Sequence, residues 1–224
     1  MIRGFIDFDN LDRTLVFDRL PLDQGISLPG LKLELGGTGI GVFARNHQAL
    51  LVLGQPRIRD AGLAGLVERD GWAASIPQLC DAPDEFLGKL AGRFALLWLD
   101  TAKGKIGFAS DRFNTYGFCY ASEGRRLSFA DRANEVPALE RELDPQSIFD
   151  YLYFHTIPAP GTIFKGVFRL EPGARLVADR ERLARVGARS RRWALQQHDP
   201  KRILPRYLWL YDLVVKGHRL VGGS

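Results

Sequence analysis

At 224 residues, 46% hydrophobic and 25% charged, the chain has the composition of an ordinary globular protein and enough length to bury a sizeable core. No apolar run approaches the roughly 18 residues that a membrane span needs, and MIRGFIDFDN lacks a signal-peptide hydrophobic region, so a cytoplasmic protein is expected. The net charge of +5 is unevenly placed: residues 180–224 hold 11 Lys or Arg against 3 acidic residues, whereas residues 1–179 hold 20 against 23.

Taken in chain order, IRGFIDF (2–8) alternates and reads as a strand, with Asp9-Asn10 as its turn. RTLVFDRL (13–20) reads as a second strand closed by Pro21, and LKLEL (31–35) as a third. Gly39, Gly41 and Ala44 match a loose dinucleotide-binding fingerprint, but no helical pattern follows them, so they read as turn residues between strands. GVFA and ALLVLGQ (49–55) resume strand character. Leu63, Leu66 and Val67 then fall at helical spacing behind Asp60, a good N-cap, which predicts a short helix over 60–69. A second helix is expected over Pro83–Leu90, with proline at its start and Asp84 and Glu85 in its first turn.

Four further runs, FALLWLD (94–100), KIGFAS (105–110), TYGFCYA (115–121) and RRLSFA (125–130), read as an antiparallel meander with short turns. On that reading Asp111-Arg112-Phe113 sits at a hairpin turn. FALLWL is apolar on both faces and should lie centrally, with Phe94, Leu96, Leu97 and Trp98 buried and Phe108, Phe118 and Tyr120 packed nearby. Asp131 is expected to cap a short helix to Leu139, and Asp144-Pro145 to open a helix ending at Phe154. Two more strands flank the Glu171-Pro172-Gly173 turn. Many strands with a few helices fit two antiparallel sheets with helices outside, an α+β sandwich.

Candidate chemical groups are few. Cys80 and Cys119 have neither metal-ligand spacing nor the numbers for a disulfide framework, and read as buried reduced thiols. His47 and His155 read as surface or helix-end histidines, and no two of the four histidines stand at i, i+3 or i, i+4 as a metal pair. Ser110 and Thr115 have no histidine placed by sequence to act as a base.

In sequence and order, GRFALLWLD, IGFASDRFNTYGFCYAS, LSFADRANEV, SIFDYLYF and PGTIFKGVFRLEPGARL resemble the N-terminal class II glutamine amidotransferase domain of asparagine synthetases. The resemblance covers roughly residues 86–178 and implies the Ntn-hydrolase fold, a sandwich of two antiparallel sheets with flanking helices. It makes residues 1–179 a degenerate amidotransferase-like domain and 180–224 a basic, then apolar, helical tail. It also implies that Asp111, Arg112 and Phe113 form a structural turn and not a catalytic group.

The chemistry of that family is interrupted. The family nucleophile is a cysteine exposed at the N-terminus once Met is removed, its free amine acting as base; position 2 here is Ile2, whose alkyl side chain cannot attack an amide. The family's Arg-His-Arg-Gly-Pro segment is missing, as no histidine precedes His47. At the place of its Asn-Gly-Glu oxyanion and substrate-binding stretch stands Leu53-Gly54-Gln55, so only Gly54 carries over. These losses imply no glutamine hydrolysis and no catalytic residue in this chain. No cofactor is expected either; ATP and magnesium would enter only with a synthetase (ATP-pyrophosphatase) domain, whose Ser-Gly-Gly-x-Asp-Ser loop is absent. Relatives that keep the domain without its cysteine include β-lactam synthetases and lasso-peptide cyclases, and the short first half here is more similar to the latter.

The tail leaves a partner question open. Basic residues from Arg180 to Arg192 precede KRILPRYLWLYDLVVKG, where Pro205 can start a helix to Lys216 bearing a broad apolar face of Tyr207, Leu210, Tyr211 and Val214. Such a helix can dock on its own domain, on a synthetase domain, or on a second copy. A nucleic-acid or anionic-surface binder is the other reading of a basic tail, but no zinc-finger spacing or RNA-binding strand motif accompanies it. A relocated nucleophile in an active glutaminase subunit is a further alternative.

Overall fold

The computed structural model describes residues 1–20, 25–37, 39–137 and 141–181. The chain divides into one compact unit, Met1–Ala184, and a second, Arg185–Ser224; the latter, with the tail helix expected over 205–216, lies outside the described residues.

Two antiparallel sheets make up the first unit. The six-stranded sheet contains β1 (Ile2–Asp7), β2 (Ile26–Leu28), β3 (Leu31–Leu35), β8 (Cys119–Glu123), β9 (Arg126–Ala130) and β10 (Val167–Arg169), in the order β10-β8-β9-β1-β3-β2. The five-stranded sheet contains β4 (Ile40–Arg45), β5 (Gln48–Ile58), β6 (Leu90–Asp100), β7 (Lys105–Ser110) and β11 (Arg175–Asp179), in the order β11-β7-β6-β5-β4. Helices α1 (Ala61–Asp81) and α2 (Pro83–Gly88) connect β5 to β6, and α3 (Pro145–Phe154) follows β9. This is the α+β two-sheet sandwich that the strand pattern predicts.

Alternation explains how the sheets stack. Strand β6 is the middle strand of five, and its two faces enter different cores. Ala95, Leu97 and Leu99 point inward and meet Ile2, Ile6, Leu31, Leu33, Phe118, Leu127 and Phe129 of the facing layer. Phe94, Leu96 and Trp98 point outward and are covered by Leu63, Ile76 and Leu79 of α1 and Phe86 of α2. A strand apolar on both faces is therefore sandwiched on both sides, as its composition requires. The inner core closes on aromatic contacts: the Phe108 ring lies 5.1 Å from both Phe118 and Phe129.

The structure corrects four sequence expectations. Residues 13–20 form no strand. Asp12 accepts hydrogen bonds from the Thr14 amide and hydroxyl (2.8 and 2.7 Å), and Phe17, wholly buried in a short 3-10 turn, plugs the inner core. The helix expected over 60–69 runs to Asp81, with Asp60 capping the Leu63 amide at 2.7 Å; it is broken at Gly71, whose φ of 77° no helix allows. Of the helix expected from Asp131 to Leu139, the described part, 131–137, forms only a 3-10 turn over Ala133–Glu135, and the rest lies outside the described residues.

The fourth correction concerns the meander. Strands β7 and β8 do not pair: β7 lies between β6 and β11, while β8 lies between β9 and β10 in the other sheet. Asp111-Arg112-Phe113 thus stands at a crossover between sheets and not at a hairpin turn. Residues 115–118 are irregular, and β8 begins only at Cys119.

Because Leu97 is fully buried between the sheets, Leu97→Ala should destabilise the protein by about 2–5 kcal/mol in a denaturant melt. A loss below about 0.5 kcal/mol would place this strand outside the core.

Candidate functional site

The segment between β7 and β8 is organised by one carboxylate. Asp111 is buried, and its side chain accepts three backbone amides: Phe94 N–H at 3.0 Å, Phe113 N–H at 2.7 Å and Thr115 N–H at 3.2 Å. Its own backbone N–H donates to the Phe94 carbonyl (2.9 Å), and its carbonyl accepts from the amides of Asn114 (2.9 Å) and Gly173 (2.8 Å). One residue thereby ties β6, the crossover and the turn before β11 together. Asn114 reaches φ 52°, a left-handed conformation that asparagine tolerates, and its Nδ2 donates to the Leu170 carbonyl at 3.1 Å. Ser110 Oγ donates to the Glu171 carbonyl at 3.0 Å. Arg112 and Phe113 both project outward, Phe113 with 79% of its surface exposed.

Gly54 lies next to this crossover. It pairs with Phe94 across β5 and β6 and has φ 78°. A Cβ there would stand 2.4 Å from Cε2 of the Tyr116 ring and 2.5 Å from the Arg93 carbonyl, so only glycine fits. Tyr116 caps Gly54 from above, a residue that sequence reasoning passed over because an aromatic in an apparent strand reads as core. The neighbours Leu53 and Gln55 differ in setting: Leu53 is buried in the inner core and Gln55 is exposed.

Ile2 lies on the other sheet. Its side chain is wholly buried within the inner core, and its backbone carbonyl accepts the Asp131 amide at 2.9 Å. The Met1 ammonium donates to the Gly36 carbonyl (2.6 Å) and stands 3.5 Å from Asp131 Oδ2. Asp131, expected as a helix cap, is instead the acidic neighbour of this end of β1. The structure therefore brings Gly54 together with the Asp111 crossover through Phe94 and Tyr116. Ile2, in the inner core, is not among them.

Neither thiol is arranged as a nucleophile. Cys80 lines a cavity of about 250 Å³ on the outer side of the five-stranded sheet, together with Asp81, Pro83, Trp98, Asp100, Lys105 and Arg175. Burial, with Asp100 adding to it, pushes this thiol up to about 12. The Cys119 thiol is also pushed up by burial, against the opposing pull of Arg169. The two described histidines serve the backbone: His47 Nδ1 donates to the Leu15 carbonyl at 2.8 Å, and His155, at φ 57°, ends α3 with its amide on the Tyr151 carbonyl. His198 and His218 lie outside the described residues. No group of three or more His, Cys, Asp or Glu among the described residues could hold a metal ion, and no described helix is long and apolar enough to cross a membrane.

A family model for the glutamine amidotransferase domain matches residues 78–191, just over half of the chain. The chain belongs to the glutamine amidotransferase domain family. Among curated proteins none matches. The amidotransferase match starts within α1 and takes in β6, β7, the Asp111 crossover, β8 to β11 and α3; β1 and Gly54 precede it.

Two outcomes follow for this amidotransferase domain. Asp111→Ala strands three amides, that of Phe94 buried and those of Phe113 and Thr115 partly so, and should cost about 2 kcal/mol or more in a denaturant melt. A loss under about 0.5 kcal/mol would contradict the tethering role. Since the raised pKa keeps Cys80 neutral below about 12, its alkylation in the native protein should stay slow at pH 8 and accelerate only as the pH climbs toward that value. Peptide mapping by mass spectrometry reads this directly; modification at pH 8 at the rate of an unhindered peptide thiol would contradict it.

Proposed function

We propose that this chain is a non-hydrolytic amidotransferase-like domain serving as scaffold or docking module for an asparagine-synthetase-type, amide-forming ligase. Closure of a peptide macrolactam is the reaction class it would serve, in a cytoplasmic setting. The observation that carries the reading is Ile2. Where the resemblance puts a nucleophile exposed to substrate, this chain has an alkyl side chain wholly buried in the inner core. Hydrolysis of glutamine needs an attacking atom and a preorganised donor for the oxyanion. Leu53 is packed in the same core, and Tyr116 covers Gly54, the one position of the substrate-binding stretch that carries over.

The alternative of a relocated nucleophile would fall on Cys80, Cys119, Ser110 or Thr115; burial pushes both thiols away from the reactive thiolate, and Ser110 Oγ is engaged with the Glu171 carbonyl. ATP and magnesium belong to the proposal only through the partner, a synthetase domain that would form the acyl-adenylate.

The purified chain should release no glutamate from glutamine above background at high protein concentration, as followed by a coupled dehydrogenase assay. Ile2→Cys should not restore release, because the oxyanion donor stays absent. Sustained turnover by the unmodified chain would overturn the reading.

A further inference from the structure

Strands β5 and β6 outrun the rest of their sheet. β4 pairs with β5 only as far as Leu53, and β7 pairs with β6 only as far as Ala95. β5 and β6 stay together through five further pairs, from Gly54↔Phe94 to Ile58↔Leu90. One face of this two-stranded ribbon is apolar: Ile58, Leu90 and Phe94 belong to the outer core that α1 and α2 cover. The other face continues the row of Leu53 and Ala95, which point into the inner core. Steps of two along the strands put Gln55, Arg57 and Arg93 on that face. Arg59 continues the row, its amide donating to the Lys89 carbonyl at 2.8 Å. All four side chains are exposed.

The charge of this face is unbalanced. Among the described residues, no carboxylate pairs with the guanidinium of Arg57, Arg59 or Arg93. The acidic groups nearest to them along the chain are engaged elsewhere. Asp60 accepts the Leu63 amide at 2.7 Å, Glu85 holds Lys89 at 2.8 Å, and Asp111 accepts three amides. Residues 1–179 carry 20 basic against 23 acidic residues, a net charge of −3, so three uncompensated arginines on one short face run against the charge of the body.

We propose that this face docks an acidic peptide segment in extended conformation, with carboxylates at alternate positions. Spacing is the first argument. Arg57 and Arg59, two residues apart on an extended strand, are separated by about 7 Å, and Arg93 is the diagonal neighbour of Arg57 at about 7–8 Å. Alternate side chains of an extended peptide repeat at the same interval, and each guanidinium presents a planar fork that takes a carboxylate through two parallel N–H···O bonds. The edges of the ribbon give the second argument. Pro56 has no amide to offer an added strand, and Gly92, at φ 93°, breaks the extended line of β6, so recognition falls to the side chains of the face. Packing of the opposite face against the helices holds both strands in place before a partner arrives. A nucleic-acid strand fits less well, because its continuous phosphate charge would run from the ribbon on to a body of net negative charge. The inference goes beyond the proposed function and does not depend on it, since it concerns the chemistry of a docking surface and not hydrolysis.

Fluorescence anisotropy on the full chain at low salt, with a labelled peptide of four Glu-Thr repeats, tests it. The native chain should bind this peptide with micromolar affinity, bind it less as salt is raised, and ignore the matching Gln-Thr peptide. Arg57→Gln/Arg93→Gln should weaken binding about tenfold, two exposed charge pairs being lost, while circular dichroism and melting temperature stay native. Should that pair unfold, Arg57→Lys/Arg93→Lys decides: it keeps the charge but not the fork, and should weaken binding several-fold. No binding by the native chain at about 100 µM overturns the proposal. So does binding that the folded double variant retains in full, which would put the contact elsewhere. Tighter binding of an oligothymidylate of equal charge, lost in the same variant, also overturns it and makes the surface one for nucleic acid. Glutamate release enters none of these outcomes, so failure here leaves the proposed function standing.

Discussion

The buried carboxylate of Asp111 is the constraint on which the rest of the molecule depends. Two antiparallel sheets must be joined by a chain that leaves one layer and enters the other, and a crossover of that kind carries backbone amides that no strand satisfies. Asp111 receives three of them and anchors both its own amide and its own carbonyl to neighbouring elements. With that point fixed, Phe118 drops between the layers against Phe108, and β8 starts in register with β9 and β10. The same point sets Tyr116 over Gly54, so the anchoring of the fold and the shape of the candidate site share one origin.

This coupling holds the architecture together without calling on any substrate. The side chains that hold the crossover are hydrogen-bonded to backbone and ask nothing of a substrate. Ile2 contributes to the inner core as any buried isoleucine does, and its position at the start of β1 is held by pairing to Leu35 and by the Asp131 amide. A cysteine exposed to solvent and an isoleucine wholly buried make opposite demands on this strand end. The structure meets the second demand. What the family frame then offers is a two-layer body that carries several of its exposed apolar side chains, Phe149, Tyr151, Leu152 and Tyr153 among the described residues, on α3.

The sequence was most readable where one face of a segment is apolar and the other has a clear alternative. LKLEL was found at its expected boundaries, and FALLWL (94–99) was recognisable as a doubly covered strand because all its residues are apolar. Asp60 and Asp144 announced their helices by capping chemistry that acts within three residues. What failed were features decided at long range. RTLVFDRL has strand composition, yet the local grip of Asp12 on Thr14 and the burial of Phe17 against the core override it. The alternation of KIGFAS and TYGFCYA suggested a hairpin, and nothing in either run records that Asp111 bonds Phe94, seventeen residues earlier, more closely than β7 bonds β8. Gly54 was singled out through a family pattern, whereas Tyr116 was not, because it fills the space left by a glycine sixty-two residues away. Helix α3 shows the same limit: Asp144-Pro145 predicted the helix, but not that Phe149, Leu152 and Tyr153 would be exposed on it.

We propose that this amidotransferase domain holds no nucleophile presented to a glutamine-like substrate. Intact-mass spectrometry after incubation with the glutamine-mimicking electrophile 6-diazo-5-oxo-norleucine tests it most directly, since that reagent traps an amidotransferase nucleophile covalently whether or not turnover completes. The account predicts an unmodified chain, with the thiols of Cys80 and Cys119 both unreacted. A stoichiometric adduct on the native protein, mapped to any single side chain or to the N-terminal amine, would contradict it.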